Sequence, residues 1–529
     1  MHPAEDTNLP LTFVRAHFAA LVAALVLCGC ASKPVEAPKL VRPAPQFAAP
    51  PAADGTFAAM EASLQSKHGT EASGFELVDR NEDGLRWRLA LIDSARSSID
   101  MQYYVWFGDT AGSLLMKRVV DAADRGVKVR LLIDDLNSLL RDAATLELRD
   151  HMLAMIDAHP NIEMRLFNPW TRRDLMGRAG EMVTDMQRMN QRMHNKSIIV
   201  DNRVTILGGR NLGDEYFGLN AEFNFHDLDV LGVGPVARQA SAVFDLYWNS
   251  RWVLQVSALK LAVKRTDAAA ARDRMAQELA RAPAIANFPV APQRWSAEFD
   301  ALGARLHAGT SRVHSDVPTD EGIRQDMVEV LYQLGGSATR ELLIVNAYII
   351  PDDRFINGLR GLKEKGVQAR ILTNSLASHD VPAVNSHYKQ WRKPLREATS
   401  ALHEMRHDAA IQAEVVDTLP TRARFMGLHS KGMVIDRQRV FIGSMNFDPR
   451  SANVNSEMGV FIDSAGLAGQ LARQIERDLQ PANSWRVEIE KDGTVVWIND
   501  RETVTSQPAR NFRQRVEDVF FMAFPRDLY

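Results

Sequence analysis

Two stretches of this chain, "HNKSIIVDNRVTILGG" from residue 194 and "HSKGMVIDRQRVFIGS" from residue 429, spell one pattern at positions 235 residues apart. Each runs His, one residue, Lys, four residues, Asp, then six residues to Gly: His194, Lys196, Asp201 and Gly208, answered by His429, Lys431, Asp436 and Gly443. A lone His beside a strand is most often a satisfied structural residue, and a lone Lys is usually solvated. The shared spacing makes these residues candidates for chemistry, because coincidence explains it poorly.

Side chains alternate faces along a strand, so His194 and Lys196 point the same way, as do His429 and Lys431. The apolar runs that follow would be buried on both faces and so would fix the backbone. Downstream, "GGRN" and "GSMN" add glycines for close backbone approach and Asn211 and Asn446 as neutral donors. Rigidly held donors are what an anionic transition state requires. The motif aspartates Asp201 and Asp436 read first as turn organisers, since Asp commonly bonds backbone near a hairpin.

Around the motifs, residues 84–106 read as an amphipathic helix and then a β-run, and 112–135 as helix, Gly turn and strand. The phrase returns at 340–375, where "KGVQAR" at 365 matches "RGVKVR" at 125. Alternating helix and strand predicts an α/β layer architecture, and the repeat predicts two homologous halves, 57–300 and 301–529. An Ala-rich helical stretch near 257–283 has no twin. A hairpin over 487–499, with its Asp492-Gly493 turn, and an amphipathic helix finish the second half.

With 529 residues the chain exceeds one ordinary core, and its net charge of -3 gives no basic field for nucleic acid. At the N-terminus, Arg15 precedes an apolar run that suits a signal peptide over 1–29. It ends in Leu27-Cys28-Gly29-Cys30, which resembles a bacterial lipobox with Cys30 as the lipidated residue. Cys28 and Cys30 are the only cysteines, so a chain cut before Cys30 has no disulfide. Residues 30–56, rich in Pro and Ala, read as a linker reaching about 75 Å if extended.

The two motifs, together with "HDLDVLGVGPV", "ILTNSLASHDVPAVNSHYKQWRKPL" and "FIGSMNFDPRSANVNSEMGV", resemble the phospholipase D superfamily, and within it the bacterial cardiolipin synthases of the C type. The resemblance covers nearly all of the chain after residue 70. It implies α/β/α halves with mixed sheets and a pseudo-twofold active site at their interface. It also implies that one His attacks phosphorus while the other serves as general acid and base. Family analogy gives His194 the first role and His429 the second, and the pseudo-symmetry leaves that order reversible.

In the same reading Lys196, Lys431, Asn211 and Asn446 hold the non-bridging oxygens, and no cofactor or metal is needed. Family members carry an imidazole-anchoring carboxylate some thirty residues past each His. Asp227 and Glu457 stand there, before the β-runs "LDVLGV" and "MGVFI". Glu222 and Asp229 compete with Asp227, and the strand context favours Asp227.

The same chemistry serves lipases, transferases and nucleases, so the motif alone leaves the substrate open. A lipid anchor facing the periplasm favours phospholipid substrates at a membrane over nucleic acid, and both half-sites in one chain predict a monomer. The resembled type transfers a phosphatidyl group from phosphatidylethanolamine to phosphatidylglycerol. The alternatives are a hydrolytic phospholipase D or envelope nuclease, or a catalytically idle binding protein. Between 167 and 193, Trp170, Met176, Met182, Met186, Met189 and Met193 alternate with Arg, which suits lipid contact and core packing equally. Phe512, Phe520, Phe521 and Phe524 carry the same ambiguity.

Overall fold

The run Ile198-Ile199-Val200 is buried on both faces, and this explains the strand that carries the first motif. Ile198 and Val200 face a core confined to the first half, while Ile199 faces a core shared by both halves. The second motif divides the same way, Met433 and Ile435 outward and Val434 into the shared core. Burying a side chain of this size is worth about 1.5–3 kcal/mol, so each motif strand is clamped between two layers.

These features come from a computed structural model that describes residues 43–135, 153, 156–259 and 265–524. The expected signal segment, with Cys28 and Cys30, lies outside the described residues. The first half contains β1 (Ser73–Val78), β2 (Ser98–Tyr103), β3 (Lys128–Asp134), β4 (Ile162–Phe167), β5 (Lys196–Val200), β6 (Val204–Gly208), β7 (Asp229–Val233) and β8 (Val253–Gln255). The second contains β9 (His307–Ser315), β10 (Glu341–Asn346), β11 (Gln368–Asn374), β12 (Ala401–Met405), β13 (Lys431–Ile435), β14 (Arg439–Gly443), β15 (Met458–Asp463) and β16 (Ser484–Ile489).

The spatial order is β1-β7-β6-β5-β2-β3-β4-β8 in one half and β9-β15-β14-β13-β10-β11-β12-β16 in the other. Only the β2-β3-β4 and β10-β11-β12 steps are parallel, so both sheets are mixed. β1 and β9 pair antiparallel, Gly74 opposite Ala308, and join the two sheets about the pseudo-twofold axis. The helix Pro235–Trp248 packs on β9 and the helix Ala465–Asp478 on β1, so each half helps to cover the other.

Beyond β16, Ile489 pairs with Val495 across the Asp492-Gly493 turn, as the sequence pattern predicts. The crossover between halves is the helix Ser296–Arg305. Its Phe299 meets Phe57 edge-on at 5.2 Å and sits in the first half's core, which therefore extends slightly past residue 300.

From residue 43 the Pro/Ala-rich stretch is a strap laid on the first half. Gln46 donates to Asn249 and Glu163, the Ala48 amide to Asp245, and the Ala52 amide to the Asp201 carbonyl. A Pro-rich backbone has no ladder of its own, and here its amides find partners on the folded body.

Candidate active site

Each motif strand is preceded by a crossing between halves. Met193 pairs with Ser456 in an isolated parallel bridge, with the His194 amide donating to the Ser456 carbonyl at 2.9 Å. At the pseudo-symmetric place the short strands Phe223–His226 and Phe425–Leu428 run parallel, and the His429 amide donates to the His226 carbonyl at 2.8 Å. These crossings bring each imidazole beside a carboxylate from the opposite half. His194 Nδ1 lies 2.9 Å from Glu457 Oε2, and His429 Nδ1 lies 2.6 Å from Asp227 Oδ2.

The spacing of some thirty residues left open which imidazole each carboxylate serves. The fold decides it, because each carboxylate ends a crossing segment aimed at the other half. Of the competitors to Asp227, Asp229 is held in a buried ion pair with Arg88 and Arg210, while Glu222 is exposed and paired with Arg424.

His194, Lys196, Asp227, His429, Lys431 and Glu457 are all buried, and their ionisation is shaped accordingly. Burial first, and then Lys196 and Lys431, hold the His194 imidazole well below its ordinary pKa. Burial and Lys431 bring His429 down to about 4 against the pull of Asp227. That each imidazole feels both lysines shows that the two motifs share one electrostatic site.

Burial likewise lowers Lys196 well below its usual range and Lys431 to about 8. Glu457 rises to about 7 through burial, opposed by Lys196 and by hydroxyl bonds from Ser444 and Ser451. Asp227 is also pushed up by burial, yet His429 and Lys431 carry it below the usual carboxylate value. An anion entering between the lysines would favour their charged forms.

Lys196 and Lys431 each donate to the carbonyl of the histidine two residues back, at 2.5 Å. Their ammonium groups also lie 5.3 Å and 5.7 Å from the rings of Tyr104 and Tyr348. The spacing argument missed both tyrosines, although each closely follows the strand that pairs with a motif. It also missed Ser444 and Ser451.

The asparagines diverge. Asn211 accepts from the Val105 amide and donates to Tyr216 Oη at 2.9 Å, whereas Asn446 Oδ1 is buried without a hydrogen-bond partner among the described residues.

The motif aspartates, grouped above with the site candidates, stand at the far end of their strands from the histidines. Asp201 accepts from the amides of Arg96, Ser97 and Ser98, and Asp436 from those of Thr339, Arg340 and Glu341. Asp201-Asn202 and Asp436-Arg437 all have φ of 51–55°, the conformation of a tight two-residue hairpin turn. Their place is structural.

The Met segment splits: Trp170, Met189 and Met193 are buried, while Met176 is exposed. Its arginines Arg188 and Arg192 are buried and paired with Glu181 and Asp134, which accounts for them without a headgroup. Phe512 and Phe520 are exposed on the last helix.

A family model described as cardiolipin synthase, phospholipase D-like domain, matches residues 89–248 and 331–479. The chain belongs to this family. Cardiolipin synthase C of Escherichia coli (strain K12) is 35% identical over 471 residues, covering 86% of this chain and 95% of that one. The major cardiolipin synthase ClsA of Bacillus subtilis (strain 168) is 25% identical over 444 residues, 82% and 75% of the two chains.

Among solved structures, phosphatidylserine synthase of Haemophilus influenzae Rd KW20 superposes with a TM-score of 0.52 at 12% identity, covering 80% of this chain and 90% of that one. That likeness concerns the fold alone. Among the described residues no cluster of His, Cys, Asp and Glu could hold a metal ion, and no helix is long and apolar enough to cross a membrane.

Proposed function

We propose that this cardiolipin synthase family member is a phosphatidyltransferase that makes cardiolipin from phosphatidylglycerol and a second phospholipid, with phosphatidylethanolamine as donor. The observation that carries the reading is the pair of buried imidazoles, each with Nδ1 on a carboxylate of the other half and both within reach of Lys196 and Lys431. Anchoring Nδ1 leaves Nε2 of a neutral imidazole as the nucleophilic nitrogen.

In the first step Nε2 of His194 attacks the donor phosphorus. The bond to the departing alcohol breaks, and that oxygen takes the Nε2 proton of His429, whose imidazolium form the bound phosphate anion and Asp227 favour. In the second step His429 removes the proton from a phosphatidylglycerol hydroxyl, whose oxygen attacks phosphorus as the bond to His194 breaks. Lys196, Lys431 and Asn446 stabilise the charge that gathers on the non-bridging oxygens. Asp227 and Glu457 hold the imidazoles in the productive tautomer and stabilise each imidazolium as it forms.

Labelled phosphatidylethanolamine and phosphatidylglycerol, incubated with the purified full-length chain, are expected to yield labelled cardiolipin. Phosphatidic acid as the sole product would overturn transfer in favour of hydrolysis. For the anchor, the lipobox resemblance supports a bacterial envelope lipoprotein tethered through Cys30. Replacing Cys30 with Ala should release the protein from membranes, and unchanged membrane recovery of this variant would defeat that placement.

A further inference from the structure

In the second half a cavity of about 210 Å³ lies between the sheet and the helices Met327–Gly336 and Asp353–Glu364. Its wall is apolar, with Leu331, Ile344, Phe355, Leu359, Met433 and Phe447, and at one end it is lined by Asn446 and Asp448. Asn446 carries the buried, unpartnered Oδ1, and Asp448 is close enough to Lys431 to shift its charge. Asn446 is thus shared between the wall of the cavity and the candidate site.

At the matching place in the first half, among the described residues, larger side chains stand. The two halves can be aligned through their shared anchors. Asp201 and Asp436 take the amides of Arg96–Ser98 and Thr339–Glu341, and Asp109 and Asp352 cap helices by accepting from Gly112 and Phe355. In that alignment Gly335, Gly336 and Gly358 stand where the first half has Ile92, Asp93 and Leu115. Ile92 and Leu115 are fully buried, and Asp93 is paired with the buried Arg118. Three side chains that stand at the matching place in the first half are missing here, which leaves the space beside Gly335, Gly336 and Gly358.

We propose that this cavity receives an acyl chain of the phosphatidyl donor, so that the second half reads the lipid's tail while the shared site holds its phosphate. The inference rests on the phosphatidyltransferase reading above. A preformed apolar wall leading away from a phosphate site fits a hydrocarbon attached to that phosphate. A soluble headgroup would leave the wall unused. The asymmetry also gives the two substrates different environments, with one tail enclosed and the other outside.

A Cβ added at Gly358 meets nothing within 4 Å, so Gly358→Leu restores the first half's residue without a backbone clash. In the full-length protein in mixed micelles, this variant is expected to lose about tenfold in kcat/KM for long-chain phosphatidylethanolamine. Turnover of a dihexanoyl donor should be unchanged.

A phosphatidylethanolamine bearing a diazirine on its acyl chain should label Leu331, Phe355 or Leu359 in the parent protein, and Gly358→Leu should abolish that labelling. Equal loss with both chain lengths, unchanged long-chain kinetics, or labelling elsewhere would overturn the proposal. Labelling needs no turnover, so a parent protein that labels in the cavity but makes no cardiolipin would contradict the transferase reading while leaving the cavity assignment standing.

Discussion

The two halves carry the same motif on the same strands, yet their anchors differ in kind. His429 leans on Asp227, a carboxylate kept ionised by its imidazole and by Lys431, and closely packed against Gly209. His194 leans on Glu457, which burial brings to about 7 and which also accepts from Ser444 and Ser451. Ser444 occupies the position that Gly209 holds in the first half. A pseudo-symmetric frame thus carries one strongly charged anchor and one near the balance point.

The comparison can be broken most sharply at the histidines. His194→Ala and His429→Ala should each cost about 10⁴-fold or more in turnover. If the roles are as assigned, only variants that keep His194 can trap label on the protein after acid quench. Label retained by His194→Ala would reverse the assignment.

The anchors come next. Asp227→Asn is expected to lower kcat by about 10³-fold, by analogy with a triad carboxylate, and Glu457→Gln by about tenfold, since an amide resembles its protonated form. Equal losses would erase the distinction between them.

At Gly209 a Cβ would come within 2.1 Å of Asp227 Oδ1. Gly209→Ala should therefore displace that carboxylate and cost about 10²-fold, whereas Ser444→Ala should cost only a few-fold. Steady-state kinetics on both variants measures the difference.

The pH profile sharpens the same contrast. As pH rises through about 7, Glu457 ionises and His194 gains its anionic anchor. Above about 8, Lys431 in the free protein loses its charge. A narrow maximum in kcat/KM is expected between these values, and Glu457→Gln should remove the acid limb while keeping the alkaline one. An unaltered acid limb would exclude Glu457 as its source.

The smallest effect on chemistry is expected at Asp201→Ala. It forfeits amide bonds to a buried carboxylate worth about 2–3 kcal/mol of stability, and activity per folded molecule should persist. A denaturant midpoint shifted downward with kcat intact would confirm the structural place of the motif aspartate.

Much of this arrangement was legible in the chain. The duplicated spacing identified the strands, the site histidines and lysines, and the two-half α/β plan, because hydrophobic alternation and a fixed motif are local signals. The crossing of the anchors was not legible. Asp227 and Glu457 lie 33 and 28 positions after the histidines of their own motifs, and only the bridges at Ser456 and His226 send them to the other half.

Asn211 and Asn446 look alike in sequence and differ through Tyr216, which engages one of them. The Arg side chains near 188–192 looked available for phosphate until their buried partners Glu181 and Asp134 were placed. Gly335, Gly336 and Gly358 are unremarked singly, and they gain meaning only when aligned with Ile92, Asp93 and Leu115.

The exchange of carboxylates between halves has a consequence for a chain made from its N-terminus onward. His194 is synthesised 263 residues before the Glu457 that orients it, and Asp227 waits 202 residues for His429. A half that folds early during synthesis is chemically mute, as is any fragment lost to truncation or proteolysis. In the proposed reaction, competence would arrive only when the last crossing closes, and the finished fold would act as its own quality check.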